Sequence, residues 1–518
     1  MLQTKFKVFL TAVLAVSILT ISSCSKDFGN MNTNPTVALT PLTSALLTQV
    51  LSGVGSTYSW DQGGISTQGG LYCQYFSETQ YTEASRYAKP TTNWDGYYAG
   101  NLKDLQTIID YNTDPATAPI ALAYGSNANQ IAVARIMKAY IFWFLTDTWG
   151  DIPYNSIFQA DNNGVVAYTS QQEIYNALFT ELDEAVKQFD DGPAMSGDIL
   201  FNKNITMWKK FANSTRAMMA LRLSKVDATK GKSEFNAALS ADGGVFETGE
   251  MAKVVYPGGN FNSPVYNYYN VTARKDYAVS DIVIDQLYNN FDDRYYVYGT
   301  AEGATNTAAG ASVVGFPYGL TRDEAISFPK TTWARVVGTS KTIFSDGTDF
   351  NVATSTAFLL TSAEIYLARA EAAELGWTEE SVEDNYYEGI AESYKQWKIY
   401  TGTLQPIFGG ATMDGDDYFY YISQSQIALD GETDLEKIQY EQWVASFPVG
   451  WLGWANWRRT GVPELSPAPG LTDIPRRFPY GPNEYSLNTA NVNSAAGQYT
   501  GGGQSTDSQF GRVWWDVQ

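Results

Sequence analysis

The sequence predicts a mainly α-helical fold, with tetratricopeptide-like helix pairs on one side and a loop-rich, irregular side for ligand binding. Apolar residues recur with helical period in several segments, most clearly at 171–189. A short Gly376-Trp377-Thr378 turn separates two helical segments, which are therefore expected to form a pair. Between 231 and 349 the periodicity weakens and glycine, asparagine and tyrosine become frequent, a composition typical of binding loops on a rigid scaffold.

The first 27 residues have the pattern of a secretory leader. Lys5 and Lys7 precede an apolar run at 8–21, which is shorter than the roughly 20 residues that span a membrane. Residues 21–24 (ISSC) resemble the lipobox of bacterial lipoproteins, in which the cysteine becomes the lipidated first residue. We predict a signal peptide at 1–23, acylation of Cys24 with chains such as palmitate, and a lipid-anchored spacer at 24–41. A leader cut elsewhere, with a chance cysteine, is the alternative.

The residues after Cys24 bear on location. The residue after the cysteine is Ser25, and not the aspartate that resembles an inner-membrane retention signal of lipoproteins. Ser25-Lys26-Asp27 resembles the short signals that direct some lipoproteins to the outer leaflet of a Gram-negative outer membrane. Each buried CH₂ of an acyl chain contributes about 0.8 kcal/mol to anchoring. The prediction is a protein held in the outer membrane by its lipid anchor and facing the cell exterior.

Residues 42–518 are predicted to form a single body. It comprises a helical scaffold at about 42–230 and 351–447, a loop-rich insert at about 231–350 and a C-terminal segment at 448–518. Ser170 suits the N-cap of the clearest helix, and Asp190-Asp191-Gly192-Pro193 ends it. Residues 53–92 are predicted as loop. The predicted helices lie at 41–51, 97–111, 127–147, 171–189, 205–225, 280–291, 361–375, 380–400 and 434–447.

Composition excludes several classes of function. The net charge is −21, and loss of Lys5 and Lys7 with the leader makes it −23, so nucleic acid and anionic headgroups are repelled. Histidine is absent, which excludes Ser-His-Asp and Cys-His catalysis and HExxH zinc sites. With Cys24 acylated, Cys73 has no disulfide partner and is expected to be a small buried apolar group. Paired carboxylates still permit glycoside hydrolysis.

Six motifs resemble the SusD/RagB family of nutrient-binding outer-membrane lipoproteins. They are residues 144–154 (FLTDTWGDIPY), 208–214 (WKKFANS), 363–371 (AEIYLARAE), 454–461 (WANWRRTG), 474–480 (IPRRFPY) and 483–485 (NEY). Together with the lipobox, these motifs span nearly the whole chain in the order expected for the family.

The resemblance implies tetratricopeptide-like helix pairs and an irregular ligand-binding side. It also implies a partner, a SusC-like TonB-dependent β-barrel transporter over which the lipoprotein sits as a lid. Oligosaccharides are the usual ligands of the family, and some members take peptides. The implied mechanism is capture and transfer with no bond made or broken, so the protein is not expected to be an enzyme and no cofactor is expected.

Several residues of these motifs have a structural interpretation. Arg458, Arg459, Arg476 and Arg477 are expected to hold the C-terminal segment on the helical body, because guanidinium groups suit carboxylates and backbone carbonyls. Trp454 and Trp457 are expected in the core. Asp147 and Asp151 flank a predicted tight turn, where helix capping is expected rather than catalysis.

Ligand-binding candidates are aromatic and polar side chains in loops. Rings can stack on sugar faces, and neighbouring amides and carboxylates can fix the orientation of a ligand. The family places ligand aromatics in broadly two regions, although no local motif fixes the correspondence by position. The candidates are Tyr58, Trp60, Tyr81, Arg86, Trp94, Tyr97, Asn101, Tyr318 and Trp333, together with Tyr72, Tyr75, Tyr87, Asn93, Asp95, Tyr98 and Arg335.

Three further interpretations stay open at this point. Residues 414–417 (DGDD) invite a structural calcium site, but the rest of an EF-hand loop is missing and a solvated acidic turn is the alternative. The alternative function is a surface-tethered glycoside hydrolase that uses paired carboxylates, which an assay for new reducing ends would identify. A purely structural lid or adhesin would co-purify with a barrel yet show no saturable binding of a small ligand.

Overall fold

The predicted helix at 171–189 forms because the sequence defines the chemistry of its ends. In a computed structural model of the protein, helix Gln171–Gln188 begins at Ser170, whose hydroxyl accepts the backbone N–H of Glu173. The Glu173 carboxylate accepts the N–H of Ser170 in return, which completes a capping box. Ser126 and Asn204 cap the helices that follow them through a side-chain oxygen. Local sequence therefore determines where these scaffold helices begin.

The structure describes residues 41–61, 63–158, 165–301, 314–328, 334–337, 352–397, 405–406, 412–413 and 415–517. Residues Thr43–Gln518 form one compact unit, and Met1–Leu42 form another, of which only residues 41 and 42 are described. The predicted signal peptide, Cys24 and Trp333 lie outside the described residues. The side chains of residues 414–417 and of Arg335 also lie outside them, so the predicted calcium site stays a prediction.

Helices dominate the described part of the chain, and each predicted helix is present. None of the helices in that part is long and apolar enough to cross a membrane. Helices of six or more residues are α1 (Thr43–Val54), α2 (Ile65–Tyr72), α3 (Lys103–Thr113), α4 (Asn127–Trp149), α5 (Gln171–Gln188), α6 (Ile205–Arg222), α7 (Ala228–Ser240), α8 (Asp281–Asn289), α9 (Arg322–Ser327), α10 (Ser362–Glu374), α11 (Val382–Gln396), α12 (Gly415–Ile422), α13 (Asp434–Ala445), α14 (Gly450–Thr460), α15 (Pro482–Leu487) and α16 (Thr489–Ala496). π-Helical turns occur at Gly55–Ser59, Tyr97–Leu102 and Asn267–Val271.

Consecutive helices pack against each other as pairs. Extensive contacts join α4 to α5, α6 to α7 and α10 to α11, and α10 also packs on α13. The pair α10 and α11 is connected through the turn at Gly376, which has a positive φ of 67°. The predicted mainly α fold with tetratricopeptide-like helix pairs is therefore confirmed.

Strands are short and occur as antiparallel pairs within the described residues. The longest pair joins β4 (Met251–Val255) to β8 (Thr356–Thr361), with Met251 opposite Thr361, so the loop-rich insert pairs with the chain just before α10. The strands are β1 (Phe76–Glu78), β2 (Ile152–Pro153), β3 (Tyr168–Thr169), β4 (Met251–Val255), β5 (Tyr277–Val279), β6 (Gly299–Ala301), β7 (Ala334–Val336), β8 (Thr356–Thr361), β9 (Gln405–Pro406) and β10 (Thr412–Met413). The remaining pairs are β1 with β5, β2 with β3, β6 with β7 and β9 with β10.

The prediction of loop at 53–92 is wrong where α2 forms. Every residue of α2 is buried, and its glycines allow a very close approach to α14. A Cβ atom added at Gly450 would lie 2.1 Å from the Ser66 carbonyl oxygen and 2.3 Å from the Gly70 nitrogen. Glycine in a sequence favours loop on local grounds, but here tight packing between two helices requires it.

The C-terminal segment is held on the body by three of the four arginines predicted for that role. Arg458 Nη1 donates to the carbonyl oxygens of Asp147 and Arg476, each at 2.8 Å. Arg477 Nε donates to the Trp149 carbonyl oxygen at 3.2 Å, and Arg459 pairs with Glu371 of α10. The prediction is confirmed for Arg458, Arg459 and Arg477. Arg476 instead forms a bidentate pair with Asp516 inside the C-terminal segment, at 2.6 and 2.7 Å. Trp454 and Trp457 are buried as expected.

The predicted capping role of Asp147 is wrong, whereas that of Asp151 is confirmed. Asp147 lies inside α4, where its buried carboxylate accepts hydrogen bonds from the Tyr175 hydroxyl and from Trp515 Nε1. It joins the helical body to the last residues of the chain. Asp151 Oδ1 accepts the N–H of Gln171, the first residue of α5, at 2.8 Å.

Cys73 is buried, as predicted. Burial raises the pKa of its thiol well above the usual value. Its thiol is therefore a neutral part of the core.

Candidate ligand-binding site

Several of the predicted ligand-binding rings belong to the core. The Tyr58 ring packs edge-on against Phe144 with centroids 4.3 Å apart, and the Trp60 ring packs against Phe76 at 4.9 Å. Trp94 is also buried, and its indole N–H donates to Glu484. Because these rings are buried, they contribute to the packing of the core in this structure. The same burial is found for Tyr72, Tyr75 and Tyr87.

Other candidates, which lie just before α3, are only partly accessible. Tyr97 and Asn101 lie on the π-helical turn Tyr97–Leu102 and are half-buried. The Tyr98 hydroxyl donates to the Pro153 carbonyl oxygen at 2.6 Å. Asp95 accepts a hydrogen bond from Asn483 at 2.6 Å, which ties it to the C-terminal segment, and Asn93 accepts the N–H of Asp95. Ligand contact by Tyr97 and Asn101 stays a prediction.

The two chain regions that supply ligand-binding candidates meet at one surface, formed by Tyr81, Arg86 and Arg322, which we call the Tyr81 surface. Arg86 Nη1 donates to the Gly319 carbonyl oxygen at 2.7 Å, and the Arg322 guanidinium lies 5.4 Å from the centroid of the exposed Tyr81 ring. Tyr318 is buried beneath it, with its hydroxyl donating to the Leu71 carbonyl at 2.6 Å. An open cavity of about 540 Å³ adjoins these residues. Its lining includes Pro317, Leu320, Asp323, Glu324, Ser327 and Phe328.

A second surface carries more exposed aromatic area, and the sequence prediction did not include it. Tyr288, Phe291, Phe419 and Tyr420 are exposed to 62%, 53%, 58% and 51%, and we call them the aromatic platform. The rings of Phe291 and Tyr420 lie 5.1 Å apart at 75°. Phe291 has a positive φ of 59°, a conformation that is strained for a bulky side chain and that is often found at functional sites.

A polar groove of about 350 Å³ lies beside the aromatic platform. The amide of Gln426 donates to Asn290 Oδ1 at 3.1 Å, and Asn290 Nδ2 donates to the Tyr440 hydroxyl at 3.2 Å. Lys437 donates to Asp430 at 2.7 Å and to the Ala428 carbonyl at 2.6 Å. The lining, which we call the Asn290 groove, comprises Asn290, Ser425, Gln426, Thr433, Glu436, Lys437, Tyr440, Val462, Pro463 and Glu464.

A buried ionic network fixes the platform from below. Arg294 Nη2 donates to Asp292 at 2.6 Å and to Glu441 at 2.8 Å, and all three side chains are fully buried. The Tyr421 hydroxyl donates to Glu441, and the Tyr394 hydroxyl donates to Asp292 at 2.9 Å. Burial raises the pKa of Glu441, an effect that the Arg294 charge opposes. These bonds join α11, α12 and α13 beneath the exposed rings.

The sequence did carry a signal for this second surface. Residues 418–421 (YFYY) and 295–298 (YYVY) are dense aromatic runs in a part of the chain with weak helical period. Within the run at 418–421, the position of each ring along α12 determines its role. The Tyr421 hydroxyl joins the ionic network, whereas Phe419 and Tyr420 are exposed to solvent. Only the tertiary structure shows which ring of such a run is exposed.

The arrangement suits binding of a ligand rich in hydroxyl groups. Exposed rings offer flat apolar faces, and the adjoining amides, hydroxyls and carboxylates offer both donors and acceptors. Among the residues that the structure describes, no group of three or more His, Cys, Asp or Glu side chains could hold a metal ion. A scaffold of helix pairs that carries exposed rings beside polar groups is typical of proteins that bind ligands rich in hydroxyl groups.

Comparison with known families identifies that class more closely. A sequence profile of the SusD-like family, described as starch-binding and associating with the outer membrane, matches residues 34–481. The chain therefore belongs to the SusD-like family. A search of curated proteins found no significant match.

Solved structures of the family share the fold over nearly the whole chain. A chitin-binding protein is 25% identical, with a TM-score of 0.72 over 92% of this chain and 100% of its own. A SusD homolog from Bacteroides fragilis NCTC 9343 is 21% identical, with a TM-score of 0.74 over 92% and 100% of the two chains. A chitin-binding SusD homolog from Flavobacterium johnsoniae is 21% identical, with a TM-score of 0.68 over 92% and 98%.

Proposed function

We propose that the protein captures oligosaccharides at the cell surface on the aromatic platform and in the Asn290 groove. The observation that supports this proposal is the contact between the exposed rings of Phe291 and Tyr420. The same segments also supply Asn290 and Gln426 to the polar groove, and Asp292 and Tyr421 to the buried network. Preorganised rings lose little conformational entropy when a ligand stacks on them. Two similar proteins are described as chitin-binding, which makes chitin oligosaccharides the first ligands to test.

The proposed mechanism is capture without chemical change, followed by transfer to a SusC-like TonB-dependent transporter. Family membership supports this reading, since the family is described as binding a glycan and associating with the outer membrane. Peptides remain the second class of ligand to test, as the resemblance to the family implies. An assay for new reducing ends during prolonged incubation distinguishes binding from glycoside hydrolysis, and we expect none to form.

The aromatic platform provides the direct test. Replacing Phe291 and Tyr420 together with alanine is expected to weaken binding of a chitin oligosaccharide at least tenfold, or about 1.4 kcal/mol, because the stacking surface is lost. Isothermal titration measures this change. Phe261→Ala removes an equally exposed ring outside both surfaces and serves as the matched control. Full loss of binding in Tyr81→Ala, with the double variant unaffected, would move the site to the Tyr81 surface.

The proposed location depends on Cys24 and on residues 24–41. Two or more acyl chains on the mature N-terminus would hold the body durably on the outer membrane. Protein purified from native outer membranes is expected to carry acyl chains on Cys24 and to co-purify with a β-barrel transporter. Mass spectrometry measures both. An unmodified Cys24 with the leader cut at another position would contradict the anchor without bearing on ligand binding.

A further inference from the structure

We propose that a second groove, formed on α11, binds further sugar residues of the same oligosaccharide, so that the ligand crosses α12 and occupies both sides of it. This inference rests on the proposed function and extends the binding site beyond the platform. The second groove, which we call the α11 groove, has a volume of about 550 Å³. Its lining includes Tyr366, Glu383, Asp384, Tyr387, Glu388 and Lys395.

The α11 groove has the mixed lining that a glycan requires. Tyr366 and Tyr387 are half-buried rings, and Glu388 and Lys395 supply acceptors and donors at the edge. The Tyr387 hydroxyl accepts the N–H of Leu429 at 3.2 Å, which fixes the ring against the segment after α12. Sugar units combine apolar faces with hydroxyl groups, so rings held rigidly among hydrogen-bonding groups complement them.

The α11 groove is lined by more acidic than basic groups, since Glu383, Asp384 and Glu388 stand there with Lys395. Lys395 Nζ lies 3.4 Å from Glu388 and 3.0 Å from Glu392, so the ammonium group is neutralised within its own helix. The excess of carboxylates repels an anionic ligand, whereas it offers acceptors to the hydroxyl and amide N–H groups of a chitin oligosaccharide. A polar chain without negative charge is the occupant that this lining favours.

Helix α12 connects the α11 groove to the aromatic platform. Tyr418 lines the groove, where its hydroxyl donates to the Tyr387 carbonyl at 2.8 Å. The Tyr418 ring lies 5.6 Å from Phe419, and Phe419 and Tyr420 belong to the platform. An α-helix is about 10 Å across. Tyr418, Phe419 and Tyr420 follow one another on α12, so their side chains are arranged around the helix from the α11 groove toward the platform.

Occupation of both sides by one chain has a measurable consequence. Once the first residues are bound at the platform, the next residues meet the α11 groove at an effective concentration in the millimolar range. Affinity should therefore increase with oligosaccharide length until the ligand reaches the groove, and then remain constant. For the intact protein we expect the longest oligosaccharides to bind at least tenfold more tightly than the shortest ones that bind.

A length series tests the inference. Chitin oligosaccharides of increasing length are titrated into the intact protein and into Tyr387→Ala and Tyr366→Ala variants. We expect both variants to bind short oligosaccharides as the intact protein does and to lose the gain for long ones. Two variants are used because Tyr387 also contacts Leu429, and thermal unfolding shows whether either is destabilised.

The outcomes separate this inference from the proposed function. Short oligosaccharides that bind, with an unchanged length dependence in both variants, would overturn the α11 groove and leave the platform intact. An affinity of the intact protein that does not change with oligosaccharide length would also overturn the α11 groove and leave the platform intact. If no oligosaccharide of any length binds, or if only peptides bind, the proposed function fails and the inference fails with it.

Discussion

Replacing Glu371 with alanine is expected to lower the free energy of unfolding by about 3–5 kcal/mol. Arg459 forms a bidentate pair with Glu371, with Nη1 at 2.6 Å and Nη2 at 2.7 Å from the two carboxylate oxygens. Both side chains are almost fully buried, and Gln439 and Gln442 also donate to Glu371. Removing the carboxylate leaves a buried guanidinium and two amides without their acceptor, which is more costly than the loss of an exposed pair.

Urea denaturation measures this change, and the chain offers a matched control in the same helix pair. Arg369 forms a bidentate pair with Glu380 at 2.9 and 2.8 Å, but both side chains are partly exposed. Glu380→Ala is therefore expected to cost no more than about 1 kcal/mol. Equal losses for the two variants would contradict the argument, since the Glu371 pair is buried and accepts two further amide donors, whereas the Glu380 pair is partly exposed.

Arg459 and the three other arginines of the C-terminal segment show how far sequence alone can predict this fold. The arginines at 458, 459, 476 and 477 could be assigned to structure because guanidinium groups in a segment with little periodicity need acceptors. Their partners could not be predicted, because they are set by the tertiary structure. Arg458 donates to the Asp147 carbonyl, 311 residues earlier in the chain, and Asp147 was itself predicted only as a cap.

Helices were predictable where the helical period of the apolar residues and a capping residue indicate the same start, as at Ser170. They were missed where tertiary packing determines whether a helix forms. Helix α2 needs glycines against α14, so the residues that make it possible are those that locally favour a loop. Helix α14 lies in a segment whose tryptophans could be assigned to the core but whose secondary structure had not been predicted.

The ligand surface was harder to predict than the fold. Rings such as Tyr58 and Trp60 lie in loop-like sequence, yet they pack beneath α4 and β1 and complete the core. Rings at the ends of α8 and on α12 are exposed instead, because neighbouring residues of the same segments fill the ionic network beneath them. In a chain with 14% aromatic residues, composition cannot separate these two roles.

Stability is expected to decrease as the pH rises from 5 to 7.5, with Glu364 as one of the largest contributors. Burial raises the pKa of Glu364 from 4.5 to about 7, against hydrogen bonds from Ser446 and Thr361. The folded protein therefore keeps a proton in a range where the unfolded chain has released it. Such a group stabilises the fold fully below its unfolded pKa, and this stabilisation is lost as the pH rises through the folded pKa. For Glu364 the loss is about 2–3 kcal/mol over this range.

Glu364→Gln isolates this contribution, because the amide keeps a hydrogen-bonding group in place and cannot titrate. Urea denaturation at pH 5 and at pH 7.5 should show a difference in unfolding free energy about 2–3 kcal/mol smaller in the variant than in the intact protein. Some slope will remain, since burial also raises the pKa of Glu78 to about 7. Glu383→Gln, an exposed change on the paired helix, should leave the slope unchanged. An equal slope in the intact protein and in Glu364→Gln would mean that Glu364 is ionised in the folded state at pH 5, which its burial opposes.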